Sequence, residues 1–213
     1  MLRVVRLPVG PIQANCYLVV DDRSGDALVV DPGDEPGRIL DELSAAGLRA
    51  LAVLVTHGHF DHVGGVAAVA TATGAPVYMS RSEAVLLERV NDFLPPSFGP
   101  FEPYRPERLL DGGERLSVGP FEIEVLSVPG HSPGHLAFRL GDVLLSGDVL
   151  FAGSVGRTDL PGGDWPTLAA TLRRLVDELA PETHVLPGHG PETTLAAERD
   201  TNPFLAQAGA TPS

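Results

Sequence analysis

The sequence predicts an α/β fold of two mixed β-sheets with helices on their outer faces. Short apolar runs rich in Val and Leu, bounded by turn residues, alternate with stretches of helical period. That alternation recurs in both halves of the chain, which is what two sheets with separate helices require.

In chain order, strands are expected at Leu2–Val9, Cys16–Asp21, Ala27–Asp31, Leu51–Thr56, Phe121–Val128, Leu136–Leu140 and Val143–Ser146. Helices are expected over Pro36–Ala46, Val63–Thr73, Ser82–Val90, Pro166–Leu179 and Thr193–Thr201, several of them opened by Pro, Asp, Ser or Thr. Residues 91–106, NDFLPPSFGPFEPYRP, break the rhythm. Five prolines are too many for a regular element and four aromatics too many for a solvated linker. We read the segment as a flap over a pocket, the alternative being a packed irregular crossover. Residues 1–204 are expected to form a single domain, and residues 205–213 a frayed tail.

With 213 residues, 43% hydrophobic and 20% charged, the chain can bury one sizeable core. Its formal charge of −13 speaks against a sequence-independent grip on nucleic acid or an anionic membrane, since both need a basic face. All 15 basic residues are Arg, which excludes a lysine Schiff base or lysine general base. Cys16 is the only cysteine, so neither an internal disulfide nor a thiolate cluster can form, and within Asn15–Val20 it reads as a buried, inert thiol. The N-terminus lacks a signal-peptide core, and runs such as Leu51–Val55 are too short to cross a bilayer, so a cytoplasmic protein is expected.

The chemistry concentrates in Leu51–His62, LAVLVTHGHFDH, an apolar strand followed by four potential ligands in six residues. Imidazole nitrogens and a carboxylate suit zinc and other borderline divalent metals. His57 and His59, two apart in an extended turn, can face one ion, while Asp61 and His62 turn to another. His131 in SVPGHSPGH, Asp148 in VLLSGDVLF and His189 in THVLPGHG repeat the pattern of a ligand placed after an apolar run. His135 and His184 read instead as structural histidines.

His57-Gly58-His59-Phe60-Asp61-His62 resembles the HxHxDH signature of the metallo-β-lactamase superfamily, and PGHSPGH, SGDVLF and LPGHG follow in the expected order. The resemblance implies the αββα sandwich of that superfamily. It further implies one metal on His57, His59 and His131, a second on Asp61, His62 and His189, and Asp148 bridging them. Asp31 in VVDPG matches an aspartate that supports the site from behind. Within the superfamily the chain most resembles the short, single-domain bacterial branch of the glyoxalase II group, through GDVLFAGSVGRTDLPGGD, LPGHGPETT and ERDTNPFL. Arg157 falls where those enzymes place a basic glutathione contact, while Asp159 replaces an expected tyrosine.

The implied activity is hydrolysis of S-(2-hydroxyacyl)glutathione or a related small thioester by a two-metal-activated hydroxide that Asp61 helps to orient. Two divalent ions, zinc first and iron or manganese as other candidates, would take the net charge from −13 to −9. The alternative is an iron-dependent persulfide dioxygenase, since GRTD after the bridging aspartate also occurs in those relatives. A β-lactamase role is disfavoured because Cys16 is far in sequence from any ligand turn, and a nuclease role by the acidic surface.

Overall fold

The computed structural model describes residues 2–209 and consists of two six-stranded mixed sheets packed face to face. The first sheet comprises β1 (Leu2–Val9), β2 (Ala14–Asp21), β3 (Asp26–Val30), β4 (Arg49–Leu54), β5 (Val77–Ser80) and β6 (Arg108–Leu110), in that spatial order. Its first three strands are antiparallel, and β3 to β6 are parallel. Helices α1 (Pro36–Ala45), α2 (Phe60–Val63), α3 (Val66–Thr73) and α4 (Ala84–Glu88) lie in the crossovers between its parallel strands.

The second sheet holds β7 (Arg115–Val118), β8 (Phe121–Ser127), β9 (Leu136–Leu140) and β10 (Val143–Gly147), with a small hairpin of β11 (Leu150–Phe151) and β12 (Ser154–Val155) beyond it. Helix α5 (Trp165–Glu178) then crosses over to β13 (His184–Pro187), which pairs parallel with β10, and β14 (Thr193–Thr194) completes the edge. Helices α6 (Leu195–Thr201) and α7 (Pro203–Ala208) end the described chain. No described helix is long and apolar enough to cross a membrane.

Strand periodicity divides the core into three layers. Along β2, Cys16, Leu18 and Val20 face the helices, packing with Ile39 and Leu43 of α1 and Val66 and Val69 of α3. The alternate residues Tyr17 and Val19 face the other sheet, where they join Leu28, Leu54, Phe121, Ile123, Phe138 and Leu186. Leu168, Leu172 and Leu175 of α5 recur with helical spacing and cover Ala137, Leu144 and Val185 on the outer face of the second sheet. Asp164 caps α5 by accepting a hydrogen bond from Thr167 N at 2.8 Å.

Two expectations are corrected. The helix read as Val63–Thr73 starts at Val66, after the separate short helix α2, because Gly65 N–H donates to Pro32 O at 2.8 Å and so leaves the helical ladder. The tail expected to fray from residue 205 lies partly in α7, whose Leu205 and Ala208 are buried against α5; residues 210–213 lie outside the described residues. Residues 91–106 are mostly exposed and combine features of both readings: Leu94, Phe101 and Tyr104 pack against the core, while Phe98 and Phe101 line a cleft beside Asp61.

Candidate metal centre

Four of the strands that meet at one end of the sandwich deliver the candidate ligands just past their C-terminal ends. His57 to His62 follow β4, His131 follows β8, Asp148 follows β10 and His189 follows β13. The site therefore draws on both sheets, at the carboxyl ends of strands where open α/β sheets collect ligands.

All seven residues converge. Nδ1 of His59 lies 3.0 Å from Nε2 of His57 and 2.9 Å from Nε2 of His131. Asp148 stands between the two halves, with Oδ1 3.4 Å from Nε2 of His62 and Oδ2 3.6 Å from Nε2 of His131 and 3.5 Å from Nε2 of His189. Oδ2 of Asp61 lies 3.2 Å from Nε2 of His189 and 3.8 Å from Nε2 of His62. Three trios able to hold a cation result: His57, His59 and His131; His57, His62 and Asp148; and Asp61, His62 and His189.

The partners behind the rings fix which nitrogen faces inward. Nδ1 of His131 meets the carbonyl oxygen of Arg157 at 2.7 Å, and since a carbonyl only accepts, Nδ1 carries the proton and Nε2 is bare. Asp31 performs the same task for His62, its Oδ2 accepting from Nδ1 at 3.0 Å. It also accepts from Thr56 N at 2.7 Å and Thr56 Oγ1 at 2.6 Å, which leaves the Thr56 oxygen to accept from Nδ1 of His57 at 3.1 Å.

A divalent cation fits what remains. Nε2 of His62 and Oδ1 of Asp148 are buried without a hydrogen-bond partner, a costly state for polar atoms in a low-dielectric interior. Burial, followed by the neighbouring histidine charges, holds His57 well below the usual histidine value and His59 down to about 4, so both stay neutral and ready to coordinate. Burial opposes the charged forms of Asp61, Asp148 and His62, yet their mutual attraction outweighs it. Both carboxyls are held below their usual range and His62 is raised well above its own. Its proton is one that a cation would displace.

His59, Asp61 and His189 are the candidate ligands that are not fully buried, the last two with side chains 16% and 25% exposed, so the site opens along them. The guanidinium of Arg157 is exposed and paired with both carboxylate oxygens of Asp159, at 2.7 Å each. Pro11, Ile12, Phe60, Phe98 and Phe101 wall an apolar cleft beside Asp61, with the Phe60 and Phe98 rings 4.6 Å apart.

His135 does not face the centre. Its ring stacks on His57 with centroids 4.6 Å apart, and its Nε2 accepts from Asp148 N at 3.0 Å. His184 is exposed at the start of β13, not enclosed in the core. Sequence reading missed Thr56, Glu83, Asn15 and Tyr17. Asn15 Nδ2 donates to the carbonyls of Pro187 and Gly190, both at 2.9 Å, and Tyr17 donates to Pro187 O at 2.7 Å, so β2 grips the turn that carries His189. No spacing rule marks them; only the fold brings a strand near the N-terminus against residue 189.

Residues 9–189 match the family model described as the metallo-beta-lactamase superfamily. A probable metallo-hydrolase, YqgX of Bacillus subtilis, is 39% identical, with 94% of this chain and 96% of that protein covered. Hydroxyacylglutathione hydrolase GloC of Haemophilus influenzae is 36% identical over 93% of this chain and 96% of its own length. Among solved structures, the B3 metallo-beta-lactamase BLEG-1 superposes with a TM-score of 0.90 at 38% identity, covering 95% of this chain and 99% of that one. TTHA1623 in a di-iron-bound form gives 0.81 at 46% identity, covering 94% and 100%. A fold, a donor set and a full-length likeness thus agree, and the chain belongs to the metallo-β-lactamase superfamily.

Proposed function

We propose that this metallo-hydrolase cleaves a small thioester, S-(2-hydroxyacyl)glutathione being the substrate class that its likeness to a hydroxyacylglutathione hydrolase supports. The observation that carries the reading is the convergence of seven inward-facing donors with Asp148 between two groups of three. In this reading His57, His59 and His131 hold one divalent ion, Asp61, His62 and His189 hold the other, and Asp148 is shared. Zinc is the proposed metal; the donor set also accepts iron, as the di-iron neighbour illustrates.

Bound, the ions supply a Lewis acid for the substrate carbonyl and lower the pKa of water enough to furnish a nucleophile near neutral pH. The chain's own part is positional. Asp31, Thr56 and the Arg157 carbonyl lock three imidazoles so that their Nε2 atoms stay aimed inward. Asp61, at the mouth, accepts a hydrogen bond from the attacking water and sets its direction toward the carbonyl. A thiol pKa of about 8.5 lets the sulfur leave as thiolate, so no general acid is required. Arg157 takes an anionic group of the substrate by exchanging it for Asp159, an exposed partner held only weakly in water.

The test is hydrolysis of S-lactoylglutathione, followed by thiol release. Oxygen uptake on glutathione persulfide and hydrolysis of a cephalosporin are measured in parallel. Thioester turnover that disappears with a chelator and returns with added metal is the expected result. Oxygen uptake by the iron form without thioester turnover would instead favour a persulfide dioxygenase, the reading that the GRTD run at residues 156–159 supports. Cephalosporin turnover alone would assign the site to β-lactams, as in the BLEG-1 neighbour.

A further inference from the structure

Glu83 is a buried acid between β5 and α4, 3% exposed, that belongs to none of the ligand trios. Its Oε2 accepts from Gly58 N at 2.7 Å, and its Oε1 accepts from Ser132 Oγ at 2.6 Å and Gly134 N at 2.7 Å. The donors are not scattered. Gly58 lies between His57 and His59, Ser132 follows His131, and Gly134 precedes His135, whose ring holds the backbone of Asp148. Charge-assisted bonds of this kind are roughly twice as strong as neutral ones.

The backbone packing is an independent sign that both loops are seated on this segment. A Cβ on Gly58 would stand 2.5 Å from Leu86 Cδ1, and one on Gly134 would stand 2.1 Å from Ser82 Oγ and 2.9 Å from Glu83 Cγ. The two ligand loops therefore rest directly on residues 82–86. His62 is held instead by Asp31, which also reaches His57 through Thr56, and the turn that carries His189 is held by Asn15 and Tyr17.

From these contacts we infer that Glu83 is a positioning residue that acts above all on one metal position, the one formed by His57, His59 and His131, whose two loops it joins directly. The inference rests on the two-ion reading above. A carboxylate is needed because both oxygens must accept. An amide keeps one acceptor and turns its NH2 group toward the donors on the other side, so the two loops lose their common anchor.

The experiment challenges Co2+-loaded wild-type, Glu83→Gln and Ser132→Ala chains with graded chelator. It counts the ions retained per chain, records visible absorption, and follows the fold by circular dichroism. Wild type is expected to hold two ions. In Glu83→Gln the chelator concentration that removes the ion at His57, His59 and His131 falls by about 10–100-fold, the usual loss when a partner behind a ligand is removed, while the other ion loosens much less. Ser132→Ala, which deletes one of the three bonds, shows a smaller shift of the same ion and decides the matter should Glu83→Gln fail to fold. Unchanged retention in a folded Glu83→Gln chain, or equal loosening of both ions, overturns the inference. A wild-type chain that holds a single ion refutes the two-ion reading instead, and Glu83 keeps its role only if Glu83→Gln still weakens that ion.

Discussion

Asp31→Asn is the substitution that most sharply tests how the centre is held. Asp31 sits at φ 48°, a left-handed conformation that Asn tolerates well, so the change adds no backbone strain. The side chain has two ways to sit. If its oxygen stays on Thr56 N, its NH2 group replaces the oxygen that now faces Thr56 Oγ1 and Nδ1 of His62. Nδ1 must then accept, and the ring proton moves to Nε2, the atom needed for the metal. If the amide flips, its NH2 opposes Thr56 N–H and leaves a buried donor without a partner, at about 1–3 kcal/mol. Moving between these states sets the penalty, and at 1.36 kcal/mol per decade it corresponds to a loss of about 5–150-fold in affinity for the ion at His62. That range overlaps the 10–100-fold typical for partners behind metal-bound histidines. Chelator competition measures it, with circular dichroism to show that the fold is intact. Wild-type metal retention together with wild-type kcat in a folded Asp31→Asn chain would refute the tautomer argument.

Asp148→Ala should lower kcat/KM by more than about 100-fold, because a shared donor between both halves is lost and the reacting groups shift; equal loss in His184→Ala, an exposed residue on β13, would contradict the assignment. Arg157→Ala should raise KM for a glutathione thioester with kcat nearly unchanged, and leave a neutral thioester lacking glutathione unaffected. An unaltered KM would remove Arg157 from the substrate side. Chelation should lower Tm by roughly 8–16 °C if one ion is normally present at about 1,000 times its Kd, since that linkage contributes about 4 kcal/mol. A Tm indifferent to chelator would show that the two sheets are not joined through the metal.

The parts legible in the sequence are those with long periodic signals or dense donor spacing. Leu2–Val9 and Leu136–Leu140 are strands with the expected bounds, and α5 starts and ends within one residue of its predicted limits. The strands missed were short or ambiguous. Val77–Ser80 has four residues, three of them buried, and so no alternation, while Arg108–Leu110 has three residues and is mostly exposed. The seven candidate donors that the fold brings together were legible because four lie in an HxHxDH run after an apolar strand and the other three each follow an apolar run. Glu83, Thr56 and Asn15 were not, since each is unremarkable in sequence and gains its role only when chain segments far apart meet. For Asn15 the partner carbonyls lie 172 and 175 residues away.

The division between buried clamps and exposed rim also bears on substrate choice. Relatives named for hydroxyacylglutathione and for β-lactam chemistry resemble this chain to nearly the same degree, so overall identity does not separate their substrates. Thioesters and β-lactams both present an electrophilic carbonyl, and a single metal centre serves either. Discrimination must therefore come from groups that touch the rest of the substrate. In the reading proposed above, the exposed Arg157 is one such group, and the apolar residues Ile12, Phe60, Phe98 and Phe101 beside Asp61 are candidates for others. The clamps on Asp31 and Asn15 are buried and tied to ligand geometry, so changes there degrade every reaction alike. Rim residues can change without disturbing the metal, which is how one fold and one donor set come to act on several substrates.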